Sequence, residues 1–140
     1  MLIATIDYNI VLYYDRFEEL MNACSTGDIV KIKDICAVKE HINCQDKHGW
    51  SPLIVATYHN NIDIVRYLIM HGADIHLTNY NETNLLMYAK EAYKDSGDNT
   101  LFRLYKELGL REEQEDIKGN NLLYYINKEA VKLEDLLRES

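Results

Sequence analysis

DKHGWSPLIVATYHNNIDIVRYLIMHGADIHLT, residues 46–78, reads as a turn followed by two short helices. Asp46-Lys47-His48-Gly49 is the turn, with Gly49 free to take positive φ. Ser51 is a good N-cap, and Pro52 fits the first helical turn. Leu53, Val55 and Ala56 then give a short inner helix one side of which is apolar. Asn60-Asn61 stop it, asparagine being the non-glycine residue that best tolerates a left-handed conformation. Ile62, Ile64, Val65, Leu68 and Ile69 recur at helical spacing in a second helix, and Gly72 caps its C-terminus.

The pattern DxxGxSPLxxA followed by IVxxLIxxGADI is similar to the ankyrin repeat, with about a dozen matching positions in one 33-residue unit. Self-similarity at that period extends both ways. Thirty-three residues earlier, Leu20 falls under Leu53, Ala23 under Ala56, Gly27 under Asn60, Ile32 under Val65 and Ile35 under Leu68. Thirty-three residues later, Asn79 falls under Asp46, Asn84 under Ser51, Leu86 under Leu53 and Ala89 under Ala56. After four extra residues Gly97 matches Asn60, Leu101 Ile64, Phe102 Val65, Tyr105 Leu68 and Gly109 Gly72. Here Glu82 replaces the turn glycine and Leu85 the proline, which predicts a distorted turn. A fourth start follows at Asp116, with Gly119, Asn121 and Leu123, and Leu133, Leu136 and Leu137 supply a truncated last helix.

The resemblance implies an all-α ankyrin-repeat solenoid of helix–turn–helix units with β-turn or hairpin fingers. Its repeats run over about 13–45, 46–78, 79–115 and 116–140. Terminal repeats of a solenoid have a neighbour on one side only, so degeneracy at both ends is expected. Residues 1–12 precede the frame, and their isoleucines suit an extra cap over the first repeat; a dimer contact or a partner-induced segment are the alternatives.

Composition is that of an ordinary globular domain, 47% hydrophobic and 27% charged. The net charge of −8, from 23 acidic and 15 basic side chains, opposes nucleic-acid binding and suits a basic protein partner or plain solubility. Cys24, Cys36 and Cys44 form no CxxC pair or zinc-ligand spacing and read as small apolar side chains in a reducing compartment. The opening MLIATIDYNIVLYYD lacks a basic n-region and is too short to span a bilayer, so a cytoplasmic location is expected.

No catalytic constellation emerges. His41, His48, His59, His71 and His76 have no partner at a known ligand spacing, and there is neither a GxSxG elbow nor a glycine-rich phosphate loop. Glu112-Glu113 and Glu115-Asp116 read as a solvated turn. The expectation is a protein that is no enzyme, with neither cofactor nor metal.

In the family, partners usually lie along the concave surface made by the fingers and inner helices. By matching position, this places Lys47, His48 and Trp50 on the finger of the best repeat, with Tyr58 and His59 at the end of its inner helix. The next finger contributes Tyr80, Asn81 and Thr83, and the last contributes Ile117, Lys118 and Asn120. Phe17 stands in the first repeat where Trp50 stands in the second. Trp50 is the only tryptophan. Aromatic anchors of this kind carry about 2 kcal/mol or more in interfaces, so a Trp50, Tyr58, Tyr80 row is the sharpest candidate, with structural cover over the neighbouring finger as the alternative for Trp50. The insertion at residues 90–96, with Tyr93 and Lys94, is a second candidate: it lies away from what the stack needs for burial, and neutral tolerance of a surface insertion is its alternative.

Four repeats can offer around 800 Å² to a partner, enough for a specific interface. The favoured function is a monomeric, stoichiometric inhibitor or immunity-type protein that blocks a toxin or enzyme; an adaptor joining two proteins comes next.

Overall fold

The protein is described here from a computed structural model, over residues 8–35 and 38–139, with side chains over 16–35 and 39–139. Among these residues there are helices and turns and no strand. The first repeat is built by α1 (Tyr8–Thr26), α2 (Ile29–Asp34) and the one-turn α3 (Val38–His41). The second pairs α4 (Pro52–Tyr58) with α5 (Ile62–Met70), and the third α6 (Leu85–Ser96) with α7 (Thr100–Glu107). The fourth pairs α8 (Leu122–Glu129) with the short α9 (Leu133–Leu137). α1 runs without a break past residue 12, so no structural boundary separates a cap from the first repeat there; residues 1–7 lie outside the described residues.

Inner helices pack in the order α1, α4, α6, and outer helices α2 against α5 and α7 against α9. Leu20, Leu53 and Leu86, equivalent in the repeat, are all fully buried, as are Ala23, Ala56 and Ala89. Each unit therefore completes its neighbour's core, and burial of these side chains supplies the main driving force. Thr57 Oγ1 adds a buried polar link, donating to the Leu53 carbonyl (2.7 Å) and bonding to the Tyr105 hydroxyl of the next repeat.

The backbone obeys the same period. With Asp46 counted as the first position and the four-residue insertion left out, all nine positive-φ residues among those described fall on three positions. Gly49, Glu82 and Gly119 share the fourth, Gly27, Asn60, Gly97 and Ala130 the fifteenth, and Gly72 and Gly109 the twenty-seventh. The chain bends at these points whatever residue occupies them, because packing against neighbours over-determines the bend. The turn at Glu82 is accordingly undistorted, with φ 59 where Gly49 has 84, contrary to the expectation from its sequence.

The insertion lengthens α6 to twelve residues, against seven in α4. It is not spare surface, as the sequence suggested. Lys90 and Ala92 are buried, and Tyr93 packs half-buried against the core. Lys90 Nζ lies 2.8 Å from Glu129 and 2.7 Å from Glu91, while Lys94 reaches Glu129 at 3.0 Å. The added turn thus fastens the third inner helix to the fourth.

Candidate functional site

Three fingers project from this scaffold, and each is closed in one way. The Asp46 carboxylate accepts the N–H groups of His48 and Trp50 (2.9 Å each). Asn79 Oδ1 accepts those of Asn81 and Thr83 (2.9 Å each), and Asp116 those of Lys118 (2.9 Å) and Asn120 (3.0 Å). Ser51, Asn84 and Asn121 then cap the inner helices through the N–H groups of Ile54, Met87 and Tyr124. Asx turns and N-caps of this kind satisfy donors that a short loop would otherwise leave bare.

Successive fingers are also tied together. The Tyr80 N–H donates to the His48 carbonyl (3.2 Å), and the Ile117 N–H to that of Asn81 (2.9 Å). The approach is close enough that a Cβ on Gly49 would stand 2.5 Å from the Tyr80 nitrogen. Gln45 Nε2 braces the first junction by donating to the Gly49 and Thr78 carbonyls (2.7 Å each).

Trp50, Tyr58 and Tyr88 form the aromatic centre of this face. Trp50 stacks on Tyr58 at 6.3 Å and meets Tyr88 edge-on at 6.4 Å, and Tyr58 meets Tyr88 edge-on at 6.4 Å. These separations are those of aromatic rings in mutual contact. His48 lies 6.1 Å from Trp50, and His59 5.2 Å from Tyr58. Asn79 Nδ2 donates to the Tyr88 hydroxyl (2.8 Å), and burial is the main cause that raises the pKa of this phenol above its ordinary value. In the next repeat Tyr125 takes the equivalent place and donates to Asp116.

The sequence-derived candidates separate into two groups. Tyr80 (60% exposed), Tyr58 (39% exposed), Lys47, His48, His59, Asn81 and Lys118 stand open to solvent. Ile117 is exposed as well, and Thr83 and Asn120 are half-buried. Trp50, expected in solvent, is half-buried, because Tyr58 and Tyr88 flank it and the core lies beneath. Phe17, its counterpart in the first repeat, is buried and faces the His41 ring at 6.2 Å. Tyr93 is turned towards the core, and Lys94 is engaged with Glu129. Tyr88 escaped the sequence reading; its signal was an aromatic at the inner-helix position that Val55 fills one repeat earlier.

The charged members of the candidate set are Lys47, Lys94 and Lys118, so the chain's net acidity does not come from these residues. Among the described residues no three histidine, cysteine or acidic side chains are grouped to hold a metal ion. Nor is any described helix long and apolar enough to cross a membrane.

A profile of the family described as ankyrin repeats (3 copies) matches residues 20–96, more than half of the chain. Among similar proteins, the ankyrin repeat and SAM domain-containing protein 6 of Rattus norvegicus is 41% identical over 64 residues, 45% of this chain and 7% of that protein. The putative ankyrin repeat protein FPV240 of fowlpox virus is 39% identical over 74 residues, 52% of this chain and 17% of its own length. The 2-5A-dependent ribonuclease of Mus musculus is 38% identical over 58 residues, 41% of this chain and 8% of that enzyme. The chain thus spans less than a fifth of each of these relatives. With the repeat, its caps and its left-handed stops in register from Leu20 to Ser96, the chain belongs to the ankyrin-repeat family.

Proposed function

We propose that this protein is a non-enzymatic, cytoplasmic binding module, and that it acts as a stoichiometric inhibitor or immunity-type protein by covering a toxin or enzyme with its concave face. Ankyrin repeats bind other proteins. The observation that carries the reading is the exposed row of Tyr58 and Tyr80 beside the half-buried edge of Trp50. Large aromatics held rigid by neighbours lose little entropy on binding and provide the anchors on which interfaces depend. With lysines as the charged candidates, recognition rests on aromatic and hydrogen-bonding contact, and the face gives no support to a preference for a basic partner.

Capture from a lysate of the source organism, followed by titration with the purified partner, tests this reading. One-to-one binding that inhibits the partner's activity is expected. Tyr80→Ala should weaken it roughly 30-fold, as loss of an anchor does, while circular dichroism stays unchanged. Binding of undiminished strength in both Tyr80→Ala and Tyr58→Ala would remove the concave face from the argument. An adaptor, the second reading, needs a further surface: two partners held at once, with neither inhibited, would establish it.

A further inference from the structure

His41, 1% exposed, ends α3 with its ring 6.2 Å from that of Phe17 on α1. Its counterparts at the same repeat position, Asp74 and Arg111, are exposed charged residues. The first repeat thus encloses a titratable ring where the second and third place a charge in solvent. The residues after it strap the first repeat to the second. The Cys44 N–H donates to the His41 carbonyl (3.0 Å). The Asn43 side chain donates to the Gly72 carbonyl (3.3 Å) and accepts the Asp74 N–H (2.8 Å), and Gln45 supports the finger at Gly49. Cys44 and Gln45 also line, with Phe17 and Met21, a cavity of about 690 Å³. A segment bordered by such a space opens locally more readily than the core.

We infer that His41 is the catch of an acid-sensitive strap, residues 41–45, which opens locally on protonation of the ring while α1 stays packed on α4. An enclosed neutral imidazole that takes up a proton acquires a charge that water solvates far better, so protonation favours the open strap. Burial lowers the pKa of this ring below its ordinary value; Glu40 on α3 opposes that effect, and Arg16 on α1 adds to it. Among the described residues of these two helices, those are the charges that act on the ring. A depressed folded value contributes stability that is present above the unfolded value, about 6.5, and is lost as pH falls through the folded one. Carboxylates titrate near 4, so the ion pairs of the fourth repeat persist through the start of this window. Opening withdraws Gln45 from the finger that carries Trp50. Its consequence for a bound partner rests on the reading above: the concave face is braced at neutral pH and less so in acid.

Hydrogen exchange of the full chain at pH 7.5 and 5.5, corrected for intrinsic rates, tests the strap without any partner and so apart from the binding reading. The Cys44 and Asp74 amides, both bonded within the strap, are the reporters. Their opening should rise several-fold, up to about the tenfold that one proton allows at one pH unit below the unfolded value, while α4 to α7 stay unchanged. His41→Leu should abolish the rise. Should that variant fail to fold, NMR titration of the unaltered chain decides: the His41 ring should titrate below about 6.5, with the two amides sharing its midpoint. Exchange of these amides indifferent to pH, a rise kept in His41→Leu or lost instead in His48→Gln, or a His41 ring titrating at its ordinary value or higher would each overturn the inference.

Discussion

Thr57 and Tyr105 join consecutive repeats by a hydrogen bond inside the core, where both side chains are fully enclosed. Because Thr57 donates to the Leu53 carbonyl, the tyrosine is the donor between the two hydroxyls. The two ends of this bond are therefore unequal. Tyr105→Phe leaves Thr57 satisfied and should cost about 1 kcal/mol or less, whereas Thr57→Val strands a buried phenol and should cost about 1–3 kcal/mol. Urea denaturation of the two variants checks the order, and equal losses would contradict this donor assignment.

The left-handed stops give a second test. Ala130 holds φ 57 where Gly27 and Gly97 occupy the same position, so Ala130→Gly should raise stability by about 0.5–1 kcal/mol, the relief of αL strain exceeding the unfolded-state entropy of glycine. Gly49→Ala should do the opposite and lose about 2 kcal/mol or more, since the new Cβ meets the backbone of Tyr80 and Asn79. Gly119→Ala, whose Cβ approaches nothing nearer than 4.0 Å, should cost less than Gly49→Ala. Thermal unfolding compares all three.

Acid should loosen the fourth repeat before the second. For Glu129, burial alone would raise the pKa, but hydrogen bonds from Lys90 and Lys94 outweigh it and hold the carboxyl below its usual range. Asp116 is held low likewise, with bonds from Tyr125 and the N–H groups of Asn120 and Lys118 overcoming burial. A depressed folded value contributes stability that is present above the unfolded value, about 4, and is lost as pH falls through the folded one. Amides of α8 and α9 should then exchange faster relative to α4 and α5 as pH is lowered through that window, after correction for intrinsic rates. Uniform acceleration would contradict the assignment.

Removing Glu129 should hurt more than removing its partner. Glu129→Ala leaves the enclosed Lys90 ammonium with Glu91 and should cost about 1–3 kcal/mol, while Lys90→Met keeps the packing and should cost less. Equilibrium unfolding in urea measures both.

Cys24 should resist thiol reagents until the protein unfolds. It is fully enclosed, and burial pushes its thiol up to about 12, so the reactive thiolate is scarce at neutral pH. The half-buried Cys44 should label before Cys24, as peptide mass spectrometry after brief iodoacetamide treatment would show.

Most of the fold was legible because its signals are local and recur. Ser51, Asn84 and Asn121 each announce a helix, and Gly27, Asn60 and Gly97 each announce a stop. What sequence hid was non-local. Nothing near Glu82 signals that neighbouring fingers will impose a left-handed turn on it, and nothing near Lys90 points to Glu129, which is 39 residues away. Solvent exposure was legible at Tyr58 and Tyr80, whose surroundings are open. Exposure was misjudged at Phe17 and in part at Trp50, where repeat position gives no measure of how far neighbouring rings close in.

The fingers owe their shape to one side chain each, that of Asp46, Asn79 or Asp116, together with main-chain atoms. The side chains of Lys47, His48, Tyr80, Asn81, Ile117 and Lys118 close none of those turns. Substitution at these places should therefore change what the fingers present to solvent with little penalty to folding, while the turns beneath stay still.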